Sequence, residues 1–200
     1  MFRRKDPLMS APEMATADVA LMLRSREGDL KAFEILYRRH YRKVQDFFHG
    51  LSRDAGASED MCQETFLRIW RLRERYSATG SFLAYLFTFA RNIWLERCRQ
   101  IRRENRLGVV LSMEEAVNTL PSSDLPPDEA VSRAEVGSCV QTILDAMPEE
   151  QRMAFVMRSV AEMTLEEIAE VMGCPINTVR SRRLLAIKRL REALRGICVL

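Results

Sequence analysis

Residues 164–183 read TLEEIAEVMGCPINTVRSRR, and their types and spacing suit the chemistry of gripping DNA. Thr164 and Glu167 stand three apart, the spacing of a capping box in which each side chain satisfies a free N–H group of the other's backbone. Leu165, Ile168, Ala169 and Met172 fall on one face of the helix so started, and Gly173 stands where a helix end favours a left-handed residue. Pro175 discourages continuation, and Asn177 is a good N-cap for a second helix. The pattern predicts helix, tight turn, helix. At about 100° per residue, Val179, Ala186, Ile187, Leu190 and Leu194 share one side of the second helix, while Ser181 and Lys188 point away and Arg180 lies on the flank. Its first turn carries Thr178, Arg180 and Ser181, where a recognition helix meets base edges and an arginine can hold a guanine by two hydrogen bonds. Farther along, Arg189, Arg191 and Arg195 suit phosphates. Arg183 falls inside the apolar stripe and must snorkel, whereas Leu184 and Leu185 fall outside it.

The inventory for catalysis is poor. The chain has two histidines, His40 and His49, and five cysteines, Cys62, Cys98, Cys139, Cys174 and Cys198, none of them spaced C-x-x-C. No G-x-x-x-x-G-K-S/T loop, no H-E-x-x-H and no histidine beside a nucleophile occurs, so an enzyme with an appended DNA-binding domain lacks its parts. The expectation is a non-enzymatic protein with no metal and no cofactor. The scattered thiols suit a reducing compartment. No apolar run approaches the ~20 residues that span a bilayer. The start, MFRRKDPLMSAPEM, has a charged head without an apolar stretch behind it, which predicts a soluble, cytoplasmic protein with no membrane insertion.

Periodicity supplies the elements that would position these residues. Among 200 residues, residues 1–106 hold 21 Lys+Arg against 14 Asp+Glu, residues 107–150 hold 1 against 9, and residues 151–200 hold 9 against 5. Two basic blocks flank an acidic one, as polyanion binding would ask. Helical spacing starts near Val19, breaks at Gly28 and Asp29, and resumes through Phe33, Leu36, Tyr37, Tyr41, Val44 and Phe48. A second helix runs from Ser58, its expected N-cap, to about Tyr76, with Met61, Phe66, Ile69 and Trp70 inward. A third starts at Ser81. The stretch SMEEAVNTLPSSDLPPDEAVS, rich in proline and acid, has the composition of a tether. Periodicity returns at Val136 with Val140, Ile143, Leu144 and Met147, and Pro148 opens another helix with Glu149 and Glu150 in its first turn.

On the helix that starts at Ser58, EDMCQETFLRIW at 59–70 resembles the D-L-x-Q-E-T-F motif of the extracytoplasmic-function (ECF) group of sigma-70-family transcription initiation factors. GDLKAFEILYRRHYRKV resembles that family's first conserved helix, FLAYLFTFARNIWLERCRQ its promoter-melting helix, and PINTVRSR its P-x-G-T-V-x-S-R signature. No segment alternates with a sustained period of two, so the chain reads as all-α, two small helical domains joined by an acidic flexible linker, and the resemblance implies that the two are sigma region 2 and the helix-turn-helix sigma region 4. The boundaries read from the sequence are an N-terminal extension at 1–18, region 2 at 19–106, the linker at 107–133 and region 4 at 134–197. The implied partners are core RNA polymerase, through the β′ clamp helices and the β flap, promoter DNA, and an anti-sigma factor.

The resemblance also implies roles. Asp60, Gln63, Glu64, Thr65 and Phe66 would dock the clamp helices, Phe66 packing inward or at the rim. Arg75, Tyr76, Tyr85, Arg91, Asn92 and Arg99 would read and melt the minus-10 element, where Tyr85, Phe87 and Trp94 among Arg97, Arg99, Arg102 and Arg103 offer stacking surfaces and cations to splayed bases. Core packing competes for those aromatics. Thr178, Arg180, Ser181, Arg182, Leu184 and Lys188 would read the minus-35 element. The linker's 27 residues have a flexible span of ~30 Å and an extended reach of ~90 Å, against the ~35 to ~70 Å of duplex that one to two helical turns set between two promoter elements. Its acidic charge would repel nucleic acid and, by resemblance, thread it through polymerase. Departures from the family pattern stand at Ala57, at Tyr85 in place of Trp, at Asn177 in place of Gly, and at Leu184 and Leu185, where a basic run is usual. Either leucine would touch a thymine methyl, or the pair would pack on an inhibitor. Ser58 beside the docking motif is a candidate for phosphorylation. The rival binding module, a polymerase-independent helix-turn-helix regulator built from 134–197 alone, leaves the motif at 59–66 without a use.

Overall fold

Gly28, at φ +94°, turns the chain between the first two helices of a computed structural model that describes residues 11–52, 54–111 and 140–197. Helix α1 (Ala11–Arg26) ends before it, and Asp29 then caps α2 (Leu30–Leu51) by accepting from the Ala32 N–H. Two backbone N–H bonds and the Arg24 guanidinium hold the Asp29 carboxyl below its usual range. Helix α3 (Ala55–Arg71) comes next, then a 3-10 turn at Arg73–Arg75 and the long α4 (Phe82–Leu111). The second half comprises a stretch α5, described over 140–145, and helices α6 (Glu149–Ser159), α7 (Leu165–Met172) and α8 (Ile176–Ile197). Among the described residues no strand occurs, in keeping with the all-α expectation, and no helix is long and apolar enough to cross a membrane.

Several boundaries differ from the periodic reading, each for a local reason. Helix α1 starts at Ala11, ahead of Val19, and Asp18 within it is anchored: its buried carboxylate takes a charged hydrogen bond from Arg39 and faces His40 Nε2 at 2.7 Å. Part of the stretch assigned to an N-terminal extension is therefore packed helix. Asp54, not Ser58, caps α3. Its carboxylate accepts from the Ala57 N–H at 3.0 Å, while Ser58 lies inside the helix, buried, donating to the Asp54 carbonyl at 2.8 Å. That burial also removes Ser58 as a phosphorylation target. Helix α8 begins at Ile176 because the Pro175 carbonyl accepts from the Thr178 and Val179 N–H groups, so Asn177 sits within the first turn rather than ahead of it. Helix α4 continues to Leu111, into the stretch read as linker, and the rest of that linker lies outside the described residues.

The two halves share one core. Phe47, Phe48, Phe82, Leu86 and Phe87 from the first meet Met153, Val156, Met157, Met163 and Ile168 from the second, all essentially without exposure. Each such side chain contributes about 1.5–3 kcal/mol by leaving water. Helix α6 packs on α2, and α7 packs on α4. A methyl placed on Gly50 would lie 2.9 Å from Val156 Cγ1, so the glycine is what lets α2 approach α6. Two domains are present, as expected, but they stand closed on each other.

Candidate nucleic-acid interface

Helix α3 divides its faces by spacing. Asp60, Gln63, Glu64 and Leu67 recur at intervals of three and four, which puts them on one line, and all four are exposed or partly so. Met61, Cys62, Thr65, Phe66 and Ile69 are buried on the other side. Thr65 and Phe66 therefore leave the docking set. The Thr65 hydroxyl donates to the Met61 carbonyl at 2.7 Å, and Phe66 packs edge-on against Tyr37 at 4.8 Å. Leu67, 48% exposed, joins the line instead. Continuing the D-x-x-Q-E spacing by one helical step would have found it. Arg68 holds Glu64 at 2.7 Å and reaches Glu96 on α4 at 2.8 Å. Burial pushes the Cys62 thiol up to about 12, so it is no nucleophile.

Along α4, Tyr85, Asn92 and Arg99 recur every seventh residue, close to one side of the helix. Asn92 and Arg99 are exposed, Tyr85 is half-buried, and Arg75 is exposed at the end of the 3-10 turn. Tyr76 does not join them: it is 3% exposed and stacks edge-on against Tyr85 at 4.9 Å. Burial raises both phenols above their usual range. Arg91 is half-buried, with its Nε unpaired among the described residues. Of the other aromatics, Phe87 is core, edge-on to Phe47. Trp94 is 5% exposed because α6 covers it: its indole N–H donates to Glu149, and the Arg152 guanidinium lies 5.2 Å from its ring centroid. In this arrangement Trp94 cannot stack on a base.

The loop ahead of α4 is covered too. The Ser81 hydroxyl donates to Glu167 at 2.8 Å and accepts from the Leu83 N–H at 3.2 Å. Glu170 fills the space beside Gly80, where a Cβ would lie 2.5 Å from its carboxylate. Carboxylates of α7 thus lie against the loop that joins Arg75 and Tyr76, both expected to meet the minus-10 element, to α4.

The helix-turn-helix forms, with the capping box and the left-handed turn that the spacing predicts. Thr164 and Glu167 make the capping box, Gly173 takes φ +61° in the left-handed region, and Ile168, Val171 and Met172 are buried. On α8, Val179, Ala186 and Leu190 face inward. Arg180, Ser181, Leu184 and Lys188 face out, and Thr178 is half-buried. Arg182 is withdrawn from the outer face. Its guanidinium bonds to Glu150 and lies 3.3 Å from the Cys174 sulfur, because residue 182 falls on the α6 side of the helix. Leu184 and Leu185 are 56% and 48% exposed. No group of three or more His, Cys, Asp or Glu side chains is placed to hold a metal ion among the described residues.

Residues 36–104 match the family model described as sigma-70 region 2, and residues 138–190 match that described as sigma-70, region 4. The ECF RNA polymerase sigma factor SigE of Mycolicibacterium smegmatis is 30% identical over 190 residues, 95% of this chain and 67% of that protein. The ECF RNA polymerase sigma factor SigK of Mycobacterium ulcerans is 30% identical over 195 residues, 94% of this chain and 96% of that one. Among solved structures, the sigma factor RpoE of Bartonella quintana, in complex with the anti-sigma factor NepR, superposes with a TM-score of 0.64 at 24% identity, over 83% of this chain and 98% of that one.

Proposed function

The chain belongs to the sigma-70 family, among its ECF RNA polymerase sigma factors, and from that premise we propose how its surfaces divide the work of transcription initiation. Residues 19–106 dock core polymerase and handle the minus-10 element, and residues 134–197 read the minus-35 element. The α3 line of Asp60, Gln63, Glu64 and Leu67 meets the β′ clamp helices, its carboxylates offering acceptors to a basic partner and its leucine an apolar contact. Region 4 meets the β flap. Arg75, Tyr85, Asn92 and Arg99, with Arg91 behind them, take the unpaired minus-10 strand. Arg180, Ser181 and Lys188, with Thr178 at the helix start and Leu184 in line, enter the minus-35 major groove.

The observation that carries this reading is that Asp60 and Gln63 on α3, Asn92 and Arg99 on α4, and Arg180, Ser181 and Lys188 on α8 stand exposed, opposite buried faces. The protein works by binding, without a cofactor or a reaction of its own, in the cytoplasm. An anti-sigma factor is its expected regulator. The relative solved with such a factor supports this reading, and so do the two leucines exposed on α8. The test is a pull-down of cognate core polymerase. Asp60→Ala and Gln63→Ala weaken recovery about tenfold each, the effect of losing ~1.4 kcal/mol, while Arg180→Ala leaves recovery unchanged and lowers initiation. Equal recovery across all three would contradict the reading.

Simultaneous engagement of both promoter elements requires the domains to part. Ser81 and Glu167 touch at 2.8 Å, whereas two elements one to two helical turns apart lie ~35 to ~70 Å from each other. The closed form is thus the state before polymerase and promoter are bound.

A further inference from the structure

Arg68 lies outside the docking line yet touches it, and all three of its guanidinium nitrogens are engaged. Nε donates to Glu64 Oε1 at 2.7 Å, while Nη1 and Nη2 donate to Glu96 Oε1 and Oε2 at 2.9 and 2.8 Å. Bonding to Glu96 first and Glu64 second raises the guanidinium above its usual range, and the same fork lowers the Glu96 carboxyl. Glu96 sits on α4 between Asn92 and Arg99. The side chain therefore clasps a carboxylate of the polymerase-docking helix to the helix that handles DNA.

We infer that Arg68 is a positioning residue for polymerase docking: anchored by the two-point fork to Glu96, it fixes the Glu64 carboxylate so that its second oxygen is presented outward as an acceptor. The physical reasons are two. An unheld glutamate loses rotamer freedom when a partner captures it, and prior orientation removes that cost from binding. A planar guanidinium can grip one carboxylate at two points and still direct its remaining N–H at another, which an ammonium cannot do in fixed geometry. The cluster is partly exposed and contributes on the order of 1 kcal/mol to folding, so its effect falls more on recognition than on stability.

The proposal rests on the assignment of α3 as the docking helix, and the test separates the two. Full-length chain, fluorescently labelled, is titrated with cognate core polymerase and its thermal midpoint is measured alongside. Arg68→Gln weakens binding about five- to tenfold with the midpoint nearly unchanged, as loss of preorganisation predicts. Arg68→Lys recovers only part of the affinity. The exchange Arg68→Glu with Glu96→Arg restores an ion pair between α3 and α4 but sets a carboxylate against Glu64 at i,i+4, so binding stays weak. If the exchange restored wild-type affinity, Arg68 would be a mere strut between helices and the inference would be overturned. Unchanged binding by Arg68→Gln would overturn it as well. Should that variant fold poorly, Glu96→Gln, which frees the fork but spares the bond to Glu64, is expected to lose about two- to threefold, and no loss counts against the proposal. Asp60→Ala and Gln63→Ala serve as the reference. If they too bind normally, the docking assignment itself has failed; if they weaken binding and the Arg68 and Glu96 variants do not, only the positioning role has.

Discussion

At the residue scale, burial overrides what spacing alone assigns. Within the D-x-x-Q-E-T-F stretch the exposed and buried letters alternate by helical angle, so Asp60 and Gln63 face out while Thr65 and Phe66 belong to the core. Two thiols shielded from water give a pH signature. Burial raises Cys62 to about 12 and Cys98 to about 11, above the 9.0 of a free thiol. A group that holds its proton more tightly when folded stabilises the fold below its unfolded value and loses that contribution as pH rises through the folded one. Stability measured by denaturant is thus expected to fall between pH 9 and 12, and Cys62→Ala to flatten that slope; a slope unchanged by the substitution would count against burial as its cause. At the helix-turn-helix, Thr164→Ala removes the cap and costs about 1 kcal/mol, read as a lowered thermal midpoint. Glu167→Gln keeps the capping box and spares most of it.

At the element scale, the first helix and the turn of the helix-turn-helix were legible, because such caps and turns are written locally. The Thr164 to Glu167 box and the left-handed Gly173 appear where their spacing places them. Starts set by a neighbouring carbonyl or carboxylate were not legible. Pro175 begins α8 ahead of Asn177, and Asp54 begins α3 ahead of Ser58. The pairing of Arg182 with Glu150 was equally hidden, since it joins residues 32 apart on different helices. Arg180→Ala costs ~1–3 kcal/mol of promoter affinity and relaxes preference at one base position, measured by binding across a panel of minus-35 variants. Changing Leu184 and Leu185 together to Ala alters either that preference or capture of an inhibitor. No change in either would leave the pair without a role.

At the scale of the whole molecule, two helical domains were legible, but their closed packing was not. Contacts such as Gly50 with Val156, or Trp94 with Glu149 and Arg152, carry no periodic signal. Gly50→Val drives a branched side chain into Val156 and is expected to part the domains, seen as a larger radius of gyration in small-angle scattering and a Trp94 fluorescence shifted toward that of an exposed indole. An unchanged radius would mean that the closed form yields locally instead. Direction of core polymerase to promoters is tested most directly by one measurement: transcription in vitro on genomic DNA with cognate core polymerase, with and without the chain, and mapped 5′ ends. The expected result is a discrete set of starts that depend on the chain, share paired minus-35 and minus-10 elements, and weaken with Gln63→Ala. Starts identical with and without the chain would contradict the account.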